Sequence, residues 1–193
     1  CFMRIKSIKW NLLPFILAWM LLLSGCGIGT TKTETPATGT LLNVTVSILP
    51  EAYFVERIGG SYVQVNVMVE PGADPHVYEP KPEQMKNLSN SDLYLKIGVE
   101  FENVWMDKFA SINPNMVIKD VSEGVTKIPV AVPIEISTSV ANHDHEEGLD
   151  PHIWLSPERV KTISKNIYQV LVELDPANES GYKANLDAFI NDI

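Results

Sequence analysis

From Leu42 onward, segments with the period of a strand alternate with segments that carry a helical stripe, and this alternation leaves few architectures open. Leu42, Val44, Val46 and Ile48 alternate with Asn43, Thr45 and Ser47, so apolar and polar side chains point to opposite faces of an extended segment. Pro50 and Glu51 open a helix through Ala52, Phe54, Val55 and Ile58, and Gly59-Gly60 ends it. Val63, Val65, Val67 and Val69 repeat the strand period. A helix is predicted from 82 to about 89, a strand over 92–97, a helix around 102–111 and a strand over 116–119. Strands and helices joined by short connections predict an α/β fold, a parallel sheet flanked by helices with right-handed crossovers. Farther on, Ser156 and Pro157 are the predicted N-cap and first-turn residue of a helix. That helix carries Val160, Ile163, Ile167, Val170, Leu171 and Leu174 on one face, and Asp175-Pro176 stops it. A last helix from near Asn178 lines up Tyr182, Leu186, Phe189, Ile190 and Ile193 and lacks a stop signal, which predicts a truncated chain.

The first part of the chain reads differently. Arg4, Lys6 and Lys9 form a basic start, and no acid precedes Glu34. An apolar run over 15–23 follows, and then Ser24-Gly25-Cys26. A bilayer-spanning helix needs roughly 20 apolar residues; this run is shorter and has the three-part layout of an export signal. The ending Leu23-Ser24-Gly25-Cys26 resembles a bacterial lipobox, which predicts a signal peptide over 1–25 and lipidation of Cys26. A buried amphipathic helix with an incidental cysteine is the alternative. Met3 is a plausible initiator. The Thr/Pro-rich stretch within 26–41 reads as a tether.

Composition narrows the chemistry. With 45% hydrophobic and 20% charged residues, the 193-residue chain can bury a core. A net charge of −9 argues against nucleic acid as a partner. Its two cysteines, Cys1 and Cys26, both precede the globular part, which excludes a disulfide framework or a thiolate zinc site there.

The histidines are His76, His143, His145 and His152, and neutral imidazole is the commonest protein ligand for zinc and related ions. Two share a frame: Asp74-Pro-His76-Val-Tyr and Asp150-Pro-His152-Ile-Trp. Each proline stiffens the approach, and the apolar and aromatic residues after each His could pin its ring. Asp74 and Asp150 are candidates to accept a hydrogen bond from the ring N–H or, equally, to cap a local turn. In open parallel sheets ligands sit beyond the carboxyl ends of the strands, and the loop from Glu70 to His76 follows such an end. This puts His76 at the crevice.

Ser47-Ile-Leu-Pro50, Gly72-Ala-Asp-Pro-His-Val-Tyr-Glu-Pro-Lys-Pro82, Gly98-Val-Glu-Phe101 with Trp105, and Asp150-Pro-His-Ile-Trp-Leu-Ser-Pro157 occur in order. Together they resemble the metal-specific substrate-binding lipoproteins of ABC importers, the cluster A-I proteins that carry zinc or manganese. The resemblance implies two α/β lobes joined by a long rigid helix, with the ion held between them by four side chains. It assigns His76 and His152 to the N-terminal lobe, here 42–175, and makes 176–193 the start of the connecting helix. The second lobe and its two ligands are then expected outside this chain, and the 193 residues alone are expected to bind metal weakly. It further implies capture of a divalent ion and delivery to a permease, with no catalysis, by a monomer anchored outside the cytoplasmic membrane or in the periplasm.

The loop His143-Asp-His145-Glu146-Glu147 resembles the His- and acid-rich insertion of zinc-type members. It reads either as an auxiliary zinc-capturing cluster or as a solvated acidic loop. On that loop zinc is favoured over manganese, since nitrogen-rich coordination suits zinc. Two rivals fare worse. A metal-dependent hydrolase lacks H-E-x-x-H and a nucleophile elbow, with only Glu79 beside the first frame as a base. A surface adhesin has no separate feature in its favour.

Overall fold

The computed structural model describes residues 40–129 and 149–193. The predicted signal segment, most of the tether and the loop His143–Glu147 lie outside the described residues. Strands β1 (Leu42–Val46), β2 (Val63–Val67), β3 (Leu93–Lys96) and β4 (Val117–Asp120) form one sheet in the order β2-β1-β3-β4. All pairs are parallel, with Val44 opposite both Val65 and Leu93, and Leu93 opposite Val117. Between and after them lie helices α1 (Leu49–Gly59), α2 (Pro82–Leu88), α3 (Glu100–Ile112), α4 (Pro157–Leu174) and α5 (Glu179–Asp192).

The strand order decides the layers. The β1–β2 crossover runs one way along the sheet, and the next two run the other way. Right-handed crossovers of opposite direction lie on opposite faces, so α1 covers one face while α2 and α3 cover the other. Helices α4 and α5 join α1, each packing on the other two. The stripe Val160, Ile163, Ile167, Val170 and Leu171 is buried in this layer, as are Tyr182, Leu186 and Phe189 of α5. Full burial of each aliphatic side chain contributes roughly 1.5–3 kcal/mol relative to exposure.

Of the polar members of the first alternating segment, Thr45 and Ser47 are buried. A parallel sheet is covered on both faces, so these hydroxyls need internal partners, and Thr45 finds Ser91 at 2.6 Å. The second strand ends at Val67 rather than Val69, although the Met68 and Val69 N–H groups still bond the Val46 and Ser47 carbonyls at 2.9 Å. The helix expected around 102–111 begins at Glu100. Ser156 does occupy the N-cap of α4, but its side chain makes no capping bond; Pro157 sets the first turn.

This order also fixes a crevice. The chain leaves β1 in one direction and returns past it to β3, so the switch point lies between the carboxyl ends of β1 and β3. Ser47 follows β1 there, and Ile97-Gly98 follows β3.

Candidate metal centre

His76 lies in the connection between β2 and α2, residues 68–81. Connections longer than about 12 residues without regular structure are uncommon and usually functional. His152 sits directly before a 3-10 turn, Ile153–Leu155, that leads into α4. The two frames fold alike at the backbone. Asp74 Oδ1 accepts the His76 main-chain N–H at 2.9 Å, and Asp150 Oδ1 accepts that of His152 at 2.9 Å. The tripeptide dictates this turn, because an Asp carboxylate reaches the N–H two residues on and proline between them offers none.

The rings are held differently. His152 Nδ1 meets Asp150 Oδ1 at 2.7 Å, so Asp150 both caps the turn and orients the ring. Its own main-chain and ring contacts with His152 hold the Asp150 carboxyl below the ordinary range. His76 Nδ1 instead meets Glu100 Oε2 at 2.8 Å, and Asp74 serves the turn alone. Glu100 is the residue the sequence reading missed. The helix was expected to start after it, and its signal was its place just past Gly98 at the carboxyl end of β3.

Pinning by the following residues holds in one frame only. Ile153 is buried, and the Trp154 ring packs edge-on to His152 with centroids 5.1 Å apart. Val77, by contrast, is 80% exposed. It follows His76 in a loop rather than seating on the core, so it pins nothing. Tyr78 turns inward, against Phe101 at 6.0 Å, and its hydroxyl donates to Gln84.

The two imidazoles converge, with ring centroids 6.1 Å apart and planes at 66°. Their side chains are 39% and 42% exposed, open to an ion from solvent. An ionised carboxylate only accepts, so each Nδ1 carries the proton and each Nε2 presents its lone pair. Among the described residues neither Nε2 has a hydrogen-bond partner. Two imidazoles on one tetrahedral ion at ~2.1 Å per bond stand about 5 Å apart, centre to centre. The observed spacing is about 1 Å wider than that. No group of three or more His, Cys, Asp or Glu disposed to hold an ion exists among the described residues.

At the switch point lies a buried polar cluster that sequence patterning did not reveal. Glu102 Oε1 accepts from Ser47 Oγ at 2.5 Å and from Ile97 N at 3.0 Å, and Oε2 accepts from Gly98 N at 2.9 Å. Ser47 N–H donates to Glu51 Oε2 at 2.9 Å, while Glu51 Oε1 has no partner. Burial, then the charge of Glu102, pushes the Glu51 carboxyl well above its usual range. Burial also raises that of Glu102, against the donors it accepts. Glu51 is the more strongly raised of the two, and Glu102, with three donors, is the better carboxylate.

The family described as zinc-uptake complex component A, periplasmic, matches residues 44–193. The manganese-binding lipoprotein MntA of Halalkalibacterium halodurans is 27% identical over 188 residues, covering 97% of this chain and 57% of the relative. The high-affinity zinc uptake system protein ZnuA of Bacillus subtilis is 27% identical over 184 residues, 94% of this chain and 57% of that protein. A crystal structure of ZnuA superposes with a TM-score of 0.68 at 41% identity, covering 79% of this chain and 55% of that one. The chain spans about half the length of the curated relatives it matches.

Proposed function

The chain belongs to the family of the periplasmic zinc-uptake component A, and on that premise we propose that it captures a divalent metal ion outside the cytoplasmic membrane and delivers it to an ABC-type permease. The observation that carries this reading is the pair His76 and His152, two half-exposed imidazoles 6.1 Å apart with each Nδ1 on a carboxylate. The ion is cargo, bound through the two Nε2 atoms. The remaining places of the shell go to donors beyond the described residues. A shell closed by protein side chains leaves no open position for a reacting water, so the role is transport and not catalysis.

Zinc is the favoured cargo and manganese the alternative. Two nitrogen donors weigh toward zinc, whereas manganese prefers carboxylate oxygen. Relatives named for zinc and for manganese both resemble this chain. Export, a lipid anchor at Cys26 and action as a monomer complete the proposal; relatives named lipoproteins support the anchor. Asp150 and Glu100 orient the rings, and the loop with His143, His145, Glu146 and Glu147 is an auxiliary capture segment.

Calorimetric titration of the protein with zinc and manganese tests the site. His76→Ala or His152→Ala should each lower affinity by more than about 100-fold, since outer partners alone are worth about 10–100-fold. Unchanged affinity for both ions in both variants would sink the assignment. Cys26→Ser should release the protein from membranes, and continued membrane association would refute the anchor.

A further inference from the structure

Glu102 makes no contact with either imidazole, yet it governs the segment that reaches one of them. It is the third residue of α3, buried, with its carboxylate turned back onto the chain that leads into the helix. Its two oxygens take the Ile97 and Gly98 N–H groups at 3.0 and 2.9 Å. These are the two main-chain donors between the end of β3 and the N-cap Val99. The bend they close needs a left-handed residue: Gly98 has φ +88°, and a Cβ there would meet Lys127 Nζ at 3.1 Å. The third donor, Ser47 Oγ, gives its single proton to Glu102, so Tyr94 donates to Ser47 at 2.7 Å. Glu102 is thereby tied to the carboxyl end of β1, to β3 and to the start of α3 at once. Two residues before it on α3, Glu100 leaves that clamped segment to meet His76 Nδ1 at 2.8 Å.

We propose that Glu102 is a positioning residue for metal capture: by clamping Ile97 and Gly98 it aims the Glu100 carboxylate at His76 and so fixes the orientation of that ring. The proposal rests on His76 as a metal ligand and extends it to a residue that touches neither ion nor ligand. The rigidity it supplies also matches the demand of the site. His76 lies on a loop with an exposed Val77 and lacks the aromatic neighbour that His152 has in Trp154.

A double-mutant cycle tests it. Glu102→Gln keeps the shape but replaces one acceptor oxygen with a donor that faces an N–H. It should weaken zinc binding about tenfold, the scale of an outer partner, and Glu100→Gln should do at least as much. If Glu102 acts through Glu100, the double variant binds no more than about twofold more weakly than Glu100→Gln alone. Losses that multiply, or a lowered Tm with unchanged affinity, would overturn the proposal. A metal-free readout is independent of the cargo. The nitrogen NMR shifts of His76 should move toward a mixed tautomer in Glu102→Gln, while those of His152 stay; unchanged His76 shifts also overturn it. Should Glu102→Gln fail to fold, Ser47→Ala removes one donor to Oε1 and should give a loss of about threefold with the same His76 signature. Unchanged shifts there overturn the proposal. His76→Ala separates the two ideas. If it leaves zinc binding intact the ligand assignment fails, while the tautomer readout still judges Glu102.

Discussion

The two Asp-Pro-His frames share a backbone turn and differ in everything that holds the ring. In the second frame one carboxylate, Asp150, takes both the main-chain N–H and the ring N–H of His152. A buried Ile153 and an edge-packed Trp154 complete its support. In the first, Asp74 takes only the main-chain N–H, and the ring is served by Glu100 from another element. One histidine is positioned by its neighbours in sequence and the other by the fold. The self-contained frame sits against α4, while the dependent one sits in the loop between β2 and α2.

The largest expected break in this symmetry comes from the aspartates. Asp150→Ala should weaken zinc binding by about 10–100-fold, because the ring loses its orienting acceptor. Asp74→Ala should cost less than about threefold, because the turn it caps is replaceable and its ring partner remains. Equal losses measured by calorimetry would erase the distinction between the frames, and a loss for Glu100→Ala comparable to that of Asp150→Ala would sharpen it.

Next in size is the contrast between these half-exposed carboxylates and the buried Glu51. Its folded-state pKa is raised, so unfolding releases the constraint that keeps it protonated. Stability should fall as pH climbs from the ordinary carboxylate range through the raised folded value. Glu51→Gln keeps the shape of the acid without its titration and should remove that slope. Urea denaturation at several pH values reads both, and an unaltered slope would mean that Glu51 is not the proton holder.

Smaller again is the difference in packing around the two rings. Trp154→Ala should destabilise by about 1–2 kcal/mol, below the ~3–5 kcal/mol of a fully buried aromatic. Val77→Ala should stay within about 0.5 kcal/mol. A denaturation midpoint that moves equally in both would contradict the unequal support seen for the two frames. The smallest effect belongs to the acidic loop. Replacing both His143 and His145 with alanine should change zinc affinity by no more than about twofold, since an auxiliary cluster apart from the primary ligands adds little net affinity. A loss comparable to that of Asp150→Ala would promote the loop to a primary ligand segment.

Much of the fold was legible because strand and helix periods are local. The valine-rich segment was legible as a strand, found at Val63–Val67, and the stripe from Val160 to Leu171 as the buried face of α4. The crevice was legible too, since a parallel sheet directs its loops to one edge. Less legible was the polar face of the first strand. Thr45 and Ser47 alternate as solvent-facing residues do, yet the second helical layer covers them, and Ser47 becomes the hub between Glu51 and Glu102.

By itself, the sequence determined the order of strands and helices and the two turns that present His76 and His152. Both follow from interactions within a few residues: side-chain period, proline's missing N–H and an aspartate's reach. Only the tertiary structure decided which carboxylate meets which ring. Asp150 is two residues from His152, but Glu100 is 24 residues from His76. Closing that span depends on β1, β3 and their clamp at Glu102, where no local pattern can register a partner that only chain crossing brings near.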